Sequence, residues 1–236
     1  MAKIIRIQIS VFVDKKIEVS SENIAKIMGQ LKQNLGLDFL PSVLNAQRIN
    51  ALTGNIENIQ DLSFFNKDNS NQLLLSTGRV DYTINFSETN NNMDIVKTGV
   101  KVIQLIMKNG NLRGNRLALN VDYLSDSHED AKGFLGKDLS RLSFYNDKEI
   151  KEWSSRINAE YEVKLLDNRE KLNVITDFTH EYNLNDGKSY IRCHSDINTL
   201  AEKSDMRFSA EIIDEFTEQA INIYDCIKTD LDQRVR

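Results

Sequence analysis

The opening stretch MAKIIRIQISVFVD (residues 1–14) decides the reading of the fold. Ile5, Ile7, Ile9, Val11 and Val13 alternate with Arg6, Gln8, Ser10, Phe12 and Asp14. A period of two sends successive side chains to opposite faces of an extended chain, so this is a strand with one buried face. That face needs an amphipathic cover, and the next segment supplies one. Ser20 or Ser21 can cap a helix in which Ile24, Ile27, Met28, Leu31 and Leu35 share a stripe, and Gly36 stands where such a helix would end.

After Pro41, the only proline, β-leaning runs appear at 46–53, 56–65, 72–76 and 79–86. They are separated by the turn-forming groups Thr53-Gly54-Asn55, Lys67-Asp68-Asn69 and Thr77-Gly78, which predicts an antiparallel meander. Met93, Val96, Val100, Ile103 and Met107 then recur at helical spacing, and Asn109-Gly110 closes that helix.

From Arg116 the theme returns. Residues 116–124 read as a strand, and 138–153 as a short strand or turn followed by a helix. Further strands are expected near 156–166, 171–182 and 189–198, with turns at Asp167-Asn168-Arg169 and Asn185-Asp186-Gly187. The last element is a helix capped by Ser209 with the stripe Ile212, Phe216, Ala220, Ile223, Ile227 and Leu231. Asp214, Glu215 and Glu218 lie near its start and Arg234 and Arg236 at its end, as the helix dipole favours. The expected architecture is therefore α+β: two related β-α-β-β-β-α halves, residues 1–111 and 112–236, with antiparallel sheets covered on one face by long helices. Whether the sheets are continuous or packed side by side stays open. The segment 125–138, polar and glycine-containing, reads as a loop.

A chain of 236 residues is long enough to bury roughly 70–75% of its unfolded surface. Thirty-five acidic against thirty basic side chains give a net charge of −5, which disfavours broad contact with nucleic-acid phosphates. The apolar opening is broken by Arg6 and Gln8 and has no small-residue cleavage site, so no signal peptide is expected. No apolar stretch approaches the roughly eighteen residues of a membrane helix. A cytosolic protein follows, and Cys193 and Cys226 are then expected to be free thiols.

Residues with chemical potential are sparse. His128, His180 and His194 lack metal-ligand spacing, so no metal and no cofactor are expected. His180 and His194 can approach one another across the last hairpin, near Glu181, Cys193 and Asp196; a satisfied or solvent-facing pair is the plainer reading. Glu162 and Lys164 project from the same face of one strand, as in nucleases that bind magnesium through acids and position water with a lysine, and Asp122 or Asp138 would supply the second acid. Glu160 shares that face while Tyr161, Val163 and Leu165 take the other, which is also how any half-exposed strand looks. The segments Lys97-Thr98-Gly99 and Gly133-Phe134-Leu135-Gly136-Lys137-Asp138 lack the spacing of a phosphate loop, and Gly99 is explained by close packing of a helix.

The pair Leu73-Leu74-Leu75-Ser76 and Arg79-Val80-Asp81-Tyr82-Thr83-Ile84-Asn85-Phe86, the helix after it, and Asp196-Ile197-Asn198-Thr199 with Arg207-Phe208 before a long helix together resemble a sporadically distributed family of uncharacterised bacterial proteins of about this length. The resemblance covers the order of elements over most of the chain. It implies a bacterial or phage-related origin, and it carries over no activity and no catalytic residues.

The expectation is thus a non-catalytic interaction protein: a subunit, adaptor or immunity-type factor, of the kind used in bacterial defence. Its partner would be another protein subunit, with a homo-oligomer also open. The apolar stripe Ile212, Phe216, Ile223 and Ile227 is either core beneath the last helix or the candidate interaction surface. The alternative is a metal-dependent nuclease built on Glu162, Lys164 and Asp122. A small-molecule carrier would need an apolar cavity between sheet and helices.

Overall fold

In the computed structural model, which describes residues 3–49, 54, 56–87, 94–125, 153–166, 168–183 and 187–235, the opening alternation becomes β1 (Lys3–Val13). It is followed by α1 (Ser21–Leu35), β2 (Leu40–Ile49), β3 (Ile56–Phe65), β4 (Asn71–Ser76), β5 (Arg79–Asn85) and α2 (Asp94–Gly110). Then come β6 (Gly114–Leu124), β7 (Ser154–Leu165), β8 (Asn168–Asn183), β9 (Lys188–Thr199) and α3 (Ile212–Val235). All nine strands form one antiparallel sheet in the order β2-β3-β4-β5-β1-β6-β9-β8-β7. The sheet is therefore continuous across the expected boundary near residue 111, because β1 pairs with β5 on one side and β6 on the other.

Four strands separate α1 from α2, in line with the four β-leaning runs and one more than the expected β-α-β-β-β-α unit contains. The strand expected at 46–53 begins earlier, at Leu40, and runs through Pro41. A proline cannot donate to a ladder, and it is accommodated here because β2 ends the sheet. The short strand and helix expected within 138–153 lie outside the described residues apart from Trp153, as does most of the loop expected at 125–138.

Alternation sorts the sheet into two faces. Ile7, Ile9 and Val11 of β1 join Tyr82 and Ile84 of β5, Leu117, Leu119 and Val121 of β6, and Ile191 and Ile197 of β9 in the core. The three helices of the described residues contribute to that same core: Ile27 and Leu31 from α1, Val100 and Ile103 from α2, and Phe216 and Ala220 from α3. They cover one face, and Arg6, Gln8, Arg192 and His194 belong to the opposite face, which none of these three helices covers.

The helix ends follow local chemistry. Ser20 adopts an extended conformation and its hydroxyl accepts from the Asn23 N–H, while Gly36, at φ 67°, closes α1 in the left-handed region with its N–H on the Lys32 carbonyl. α2 approaches the sheet most closely at Gly99, where a β-carbon would lie 2.6 Å from the Tyr82 ring. Between β9 and α3, Phe208 forms a bridge with Gly114. Beside it Arg207 donates to the Asn115 carbonyl at 2.7 Å and, with Lys203, meets the buried carboxylate of Glu170. Among the described residues no helix is long and apolar enough to cross a membrane.

Candidate functional site

Glu162 and Lys164 lie on β7 at one end of the sheet, whereas Asp122 lies on β6 with β9 and β8 between them. Three interstrand steps amount to about 14 Å. Along the strands the offset is larger. The row through Asp122 reads His194, Asp177 and Arg156, and Glu162 is a further 20 Å or so beyond Arg156 at about 3.3 Å per residue. The structure does not bring these three groups together, and no single cation could bridge them. Glu162 instead pairs with Arg169 at 3.2 Å, and Glu160 with Lys171 at 3.0 Å, across the β7–β8 hairpin. Asp138 lies outside the described residues. Among the described residues no group of three or more His, Cys, Asp or Glu side chains could hold a metal.

The expected approach of His180 and His194 also fails. His180 pairs with Ile191 and His194 with Asp177, so the two rings leave opposite faces of the sheet. His180 stacks on Trp153 with ring centroids 6.4 Å apart. His194 reaches Asp122 instead. Cys193 is buried and Cys226 exposed, both as free thiols, and burial pushes the Cys193 thiol up to about 11.

Asp122 is the electrostatic centre of the face opposite α1, α2 and α3. Its side chain is 3% exposed and takes Arg6 at 2.8 Å, His194 at 2.9 Å and Arg192 at 3.3 Å, while Arg192 also holds Glu181 at 3.2 Å. A register shift between Ile4 and Arg6 in the β1–β6 ladder sets Arg6 directly opposite Asp122. Burial alone would raise this carboxyl, but the His194 hydrogen bond and the Arg6 and Arg192 charges outweigh it and hold Asp122 at about 2, from an ordinary 3.8. The ionised form consequently stabilises the fold above the unfolded-state value, and that contribution disappears as pH falls from about 4 through about 2. It amounts to about 2 kcal/mol. Urea titrations across this range should show the wild type losing about that much more stability than Asp122→Asn; parallel profiles would remove Asp122 from the account of acid sensitivity.

The stripe on α3 is mostly core. Ile212 and Phe216 are buried, at 6% and 0% exposure, and Ile223 and Ile227 are half-buried against the same cluster. As a docking surface, Ile212 and Phe216 are unavailable without dismantling the helix–sheet layer.

Exposed apolar groups collect elsewhere, on the sheet edges. β7 carries Ile157 and Tyr161 outward, but Arg156, Glu160, Glu162 and Lys164 are interspersed along it. Charges of that kind discourage a second sheet from pairing. β2 is guarded less by charge, since Arg48 is its single charged residue, although Pro41 removes one outward donor from this edge. It exposes Leu40 (58%), Val43 (40%), Leu44 (39%) and Ile49 (69%), and Ile56 opposite Ile49 on β3 is also exposed.

No family model and no curated protein matches the chain.

The orientation of the β2 backbone follows from the neighbouring ladders. Asn66 N–H donates to the Asn71 carbonyl at 3.2 Å, so the even-numbered residues of β3 bond toward β4 and the odd ones toward β2, because successive main-chain groups alternate in direction. Ser63 therefore bonds with its partner Ser42, and Phe65 with Leu40. By the same alternation Pro41, Val43, Asn45, Gln47 and Ile49 direct their main-chain groups outward. Beyond Leu62, where β4 stops pairing, β2 and β3 continue as a two-stranded arm held by Gln60–Asn45 (3.1 Å) and Gln47–Asn58 (3.4 Å) side-chain bonds. Sequence reasoning passed over Leu40–Leu44, since Pro41 reads as a separator rather than as part of a strand. The available signal was a neutral, apolar run with no charge to guard it.

Proposed function

We propose that the protein is a non-catalytic interaction subunit, of a bacterial or phage-related system, which binds other polypeptide by strand addition to the free edge of β2. The observation that carries this reading is an edge with a single charged residue, Arg48, and with Leu40, Val43, Leu44 and Ile49 exposed beside outward main-chain groups, of which Pro41 alone lacks a donor. An added strand satisfies those groups, and its side chains meet the exposed ones in alternation. The arm beyond β4 supports the same reading, because an isolated two-stranded ribbon is marginally stable in water and gains from a third strand. Among the described residues the separation of Glu162 and Lys164 from Asp122 leaves the nuclease alternative without a constellation in its support; Asp138 lies outside them.

A photo-crosslinking residue placed at position 44 in cells is expected to trap a discrete protein adduct, whereas the same residue at position 157 on β7 gives none. Absence of an adduct at 44, or equal trapping at both positions, would overturn the proposal.

A further inference from the structure

Among the described residues, Asp61 is the only carboxylate with an oxygen closed off from solvent and no hydrogen-bond donor on it. No ion pair reaches it there either, whereas the buried acids Asp81, Asp122 and Glu170 each meet at least one cation. An oxygen kept from both water and a donor costs free energy, and a native fold seldom keeps one without a reason. Asp61 stands directly opposite Leu44 in the β2–β3 ladder, and directly opposed residues share a face. That face is the one away from the helices, since Leu62 and Phe64 turn the other way into the core. Asp61 is also the first residue of β3 past the end of β4, whose pairing stops at Leu62, so no neighbouring strand supplies it with a donor on that side.

From this placement we infer that the polypeptide docking on β2 is a basic extended segment, with an arginine or lysine opposite Leu44 that passes over Leu44 and ends on the Asp61 carboxylate. The inference rests on the reading of β2 as the docking edge and specifies its partner. Leu44 bonds inward to Asp61, so an added residue opposite Leu44 forms a non-hydrogen-bonded pair with it, α-carbons about 4.5 Å apart, and Asp61 lies about 5.5 Å further on. A long basic side chain spans that gap: its methylenes cover Leu44, 39% exposed, and its charged head meets the acid. Arginine suits the place best, because a guanidinium sheds water more readily than an ammonium and brings several donors to a carboxylate that the fold leaves without any. The main-chain bonds come from Val43, Asn45, Gln47 and Ile49, whose groups point outward, so the added strand needs nothing from Pro41. The chain's net charge of −5 favours encounter with a basic partner.

The test uses the purified full chain and two short fluorescent peptides. Both are threonine throughout except for valines placed to meet Val43 and Ile49; opposite Leu44 one carries arginine and the other glutamate. The arginine peptide should bind about tenfold more tightly than the glutamate peptide. Asp61→Asn, which keeps the shape of the side chain, should bring the two affinities together, and Asp61→Arg should reverse their order. Urea midpoints confirm that each variant is folded, and Asp61→Asn decides alone if Asp61→Arg is not. Equal affinities for the two peptides in the wild type would overturn the inference, as would failure of both to bind or an arginine preference that survives in Asp61→Asn. If the cellular adduct at position 44 forms while the arginine preference is missing, the basic partner is wrong and the docking edge stands. If position 44 gives no adduct and neither peptide binds, both readings fall.

Discussion

Phe216→Ala is expected to cost about 3–5 kcal/mol of folding stability, read as a lower urea midpoint with an unchanged slope. Phe216 is fully buried, in the core between α3 and the sheet. Removing its ring leaves a cavity in a core whose other members include the fully buried Tyr123 and Leu119 of β6. The cost combines lost transfer energy with the unfilled space. Ile227 lies on the same stripe toward the C-terminal end of α3 but is only half-buried. Ile227→Ala should therefore cost nearer 1 kcal/mol. The pair separates two meanings of one sequence pattern. If Phe216→Ala were as stable as the parent and instead lost a binding partner, the stripe would be an interface; the burial pattern makes it the means by which α3 closes the core.

Gly99→Val is expected to be about as damaging, for the opposite reason. A β-carbon at this position would stand 2.6 and 2.9 Å from two carbons of the Tyr82 ring and 3.4 Å from Ile9 Cδ1. Tyr82 is 1% exposed and belongs to β5, which is paired on both sides, so its ring has nowhere to retreat without moving a strand or lifting α2. Overpacking by a single methylene costs about 1–3 kcal/mol, and valine adds two further methyl groups in the tightest place between helix and sheet. Replacing a mid-helix glycine returns only some tenths of a kcal/mol in helix propensity. A net loss of about 3 kcal/mol lowers the thermal midpoint by about 6–12 °C for a domain of this size. Gly99→Ala should fall between the variant and the parent. A valine variant that melts with the wild type would mean that α2 stands further from the sheet than described.

Much of this layering is legible in the sequence, because it is written at short range. The alternation in residues 7–13 and the stripes containing Leu31 and Ile103 state which face is buried, and Ile7, Ile9, Val11, Val13, Leu31 and Ile103 all enter the common core; Ile5 does not, because the register shift between Ile4 and Arg6 puts Ile4 against it instead. Gly99 is legible too, since a glycine inside an apolar helical pattern has few reasons to be there other than close approach. What stays hidden depends on distant partners. The Asp122 centre joins β1, β6 and β9, with Arg192 and His194 some seventy positions from Asp122 along the chain, and no local period announces such a meeting. The sequence allows the two histidines to approach one another because their hairpin is visible in it; the exact register is not, and His180 meets Ile191 while His194 meets Asp177. β2 illustrates a third kind of gap. Proline excludes a central strand but permits an outer one, so residues 40–49 become readable as a strand once the sheet order is known. The candidate docking edge depended on that order, and for this reason it was the part least accessible from residue types alone.

The central place of β1 also has a consequence for the way the chain is made. β1 leaves the ribosome before either of its two neighbours, β5 and β6. One side is closed only after Asn85 has emerged and the other only after Leu124. At a synthesis rate of about 5–20 residues per second, a row of isoleucine and valine waits for several seconds with a pairing side open to any passing extended segment. That interval is a natural point of engagement for a nascent-chain chaperone, and overexpression faster than chaperone supply should send the newly made protein into inclusion bodies before any property of the finished molecule comes into play.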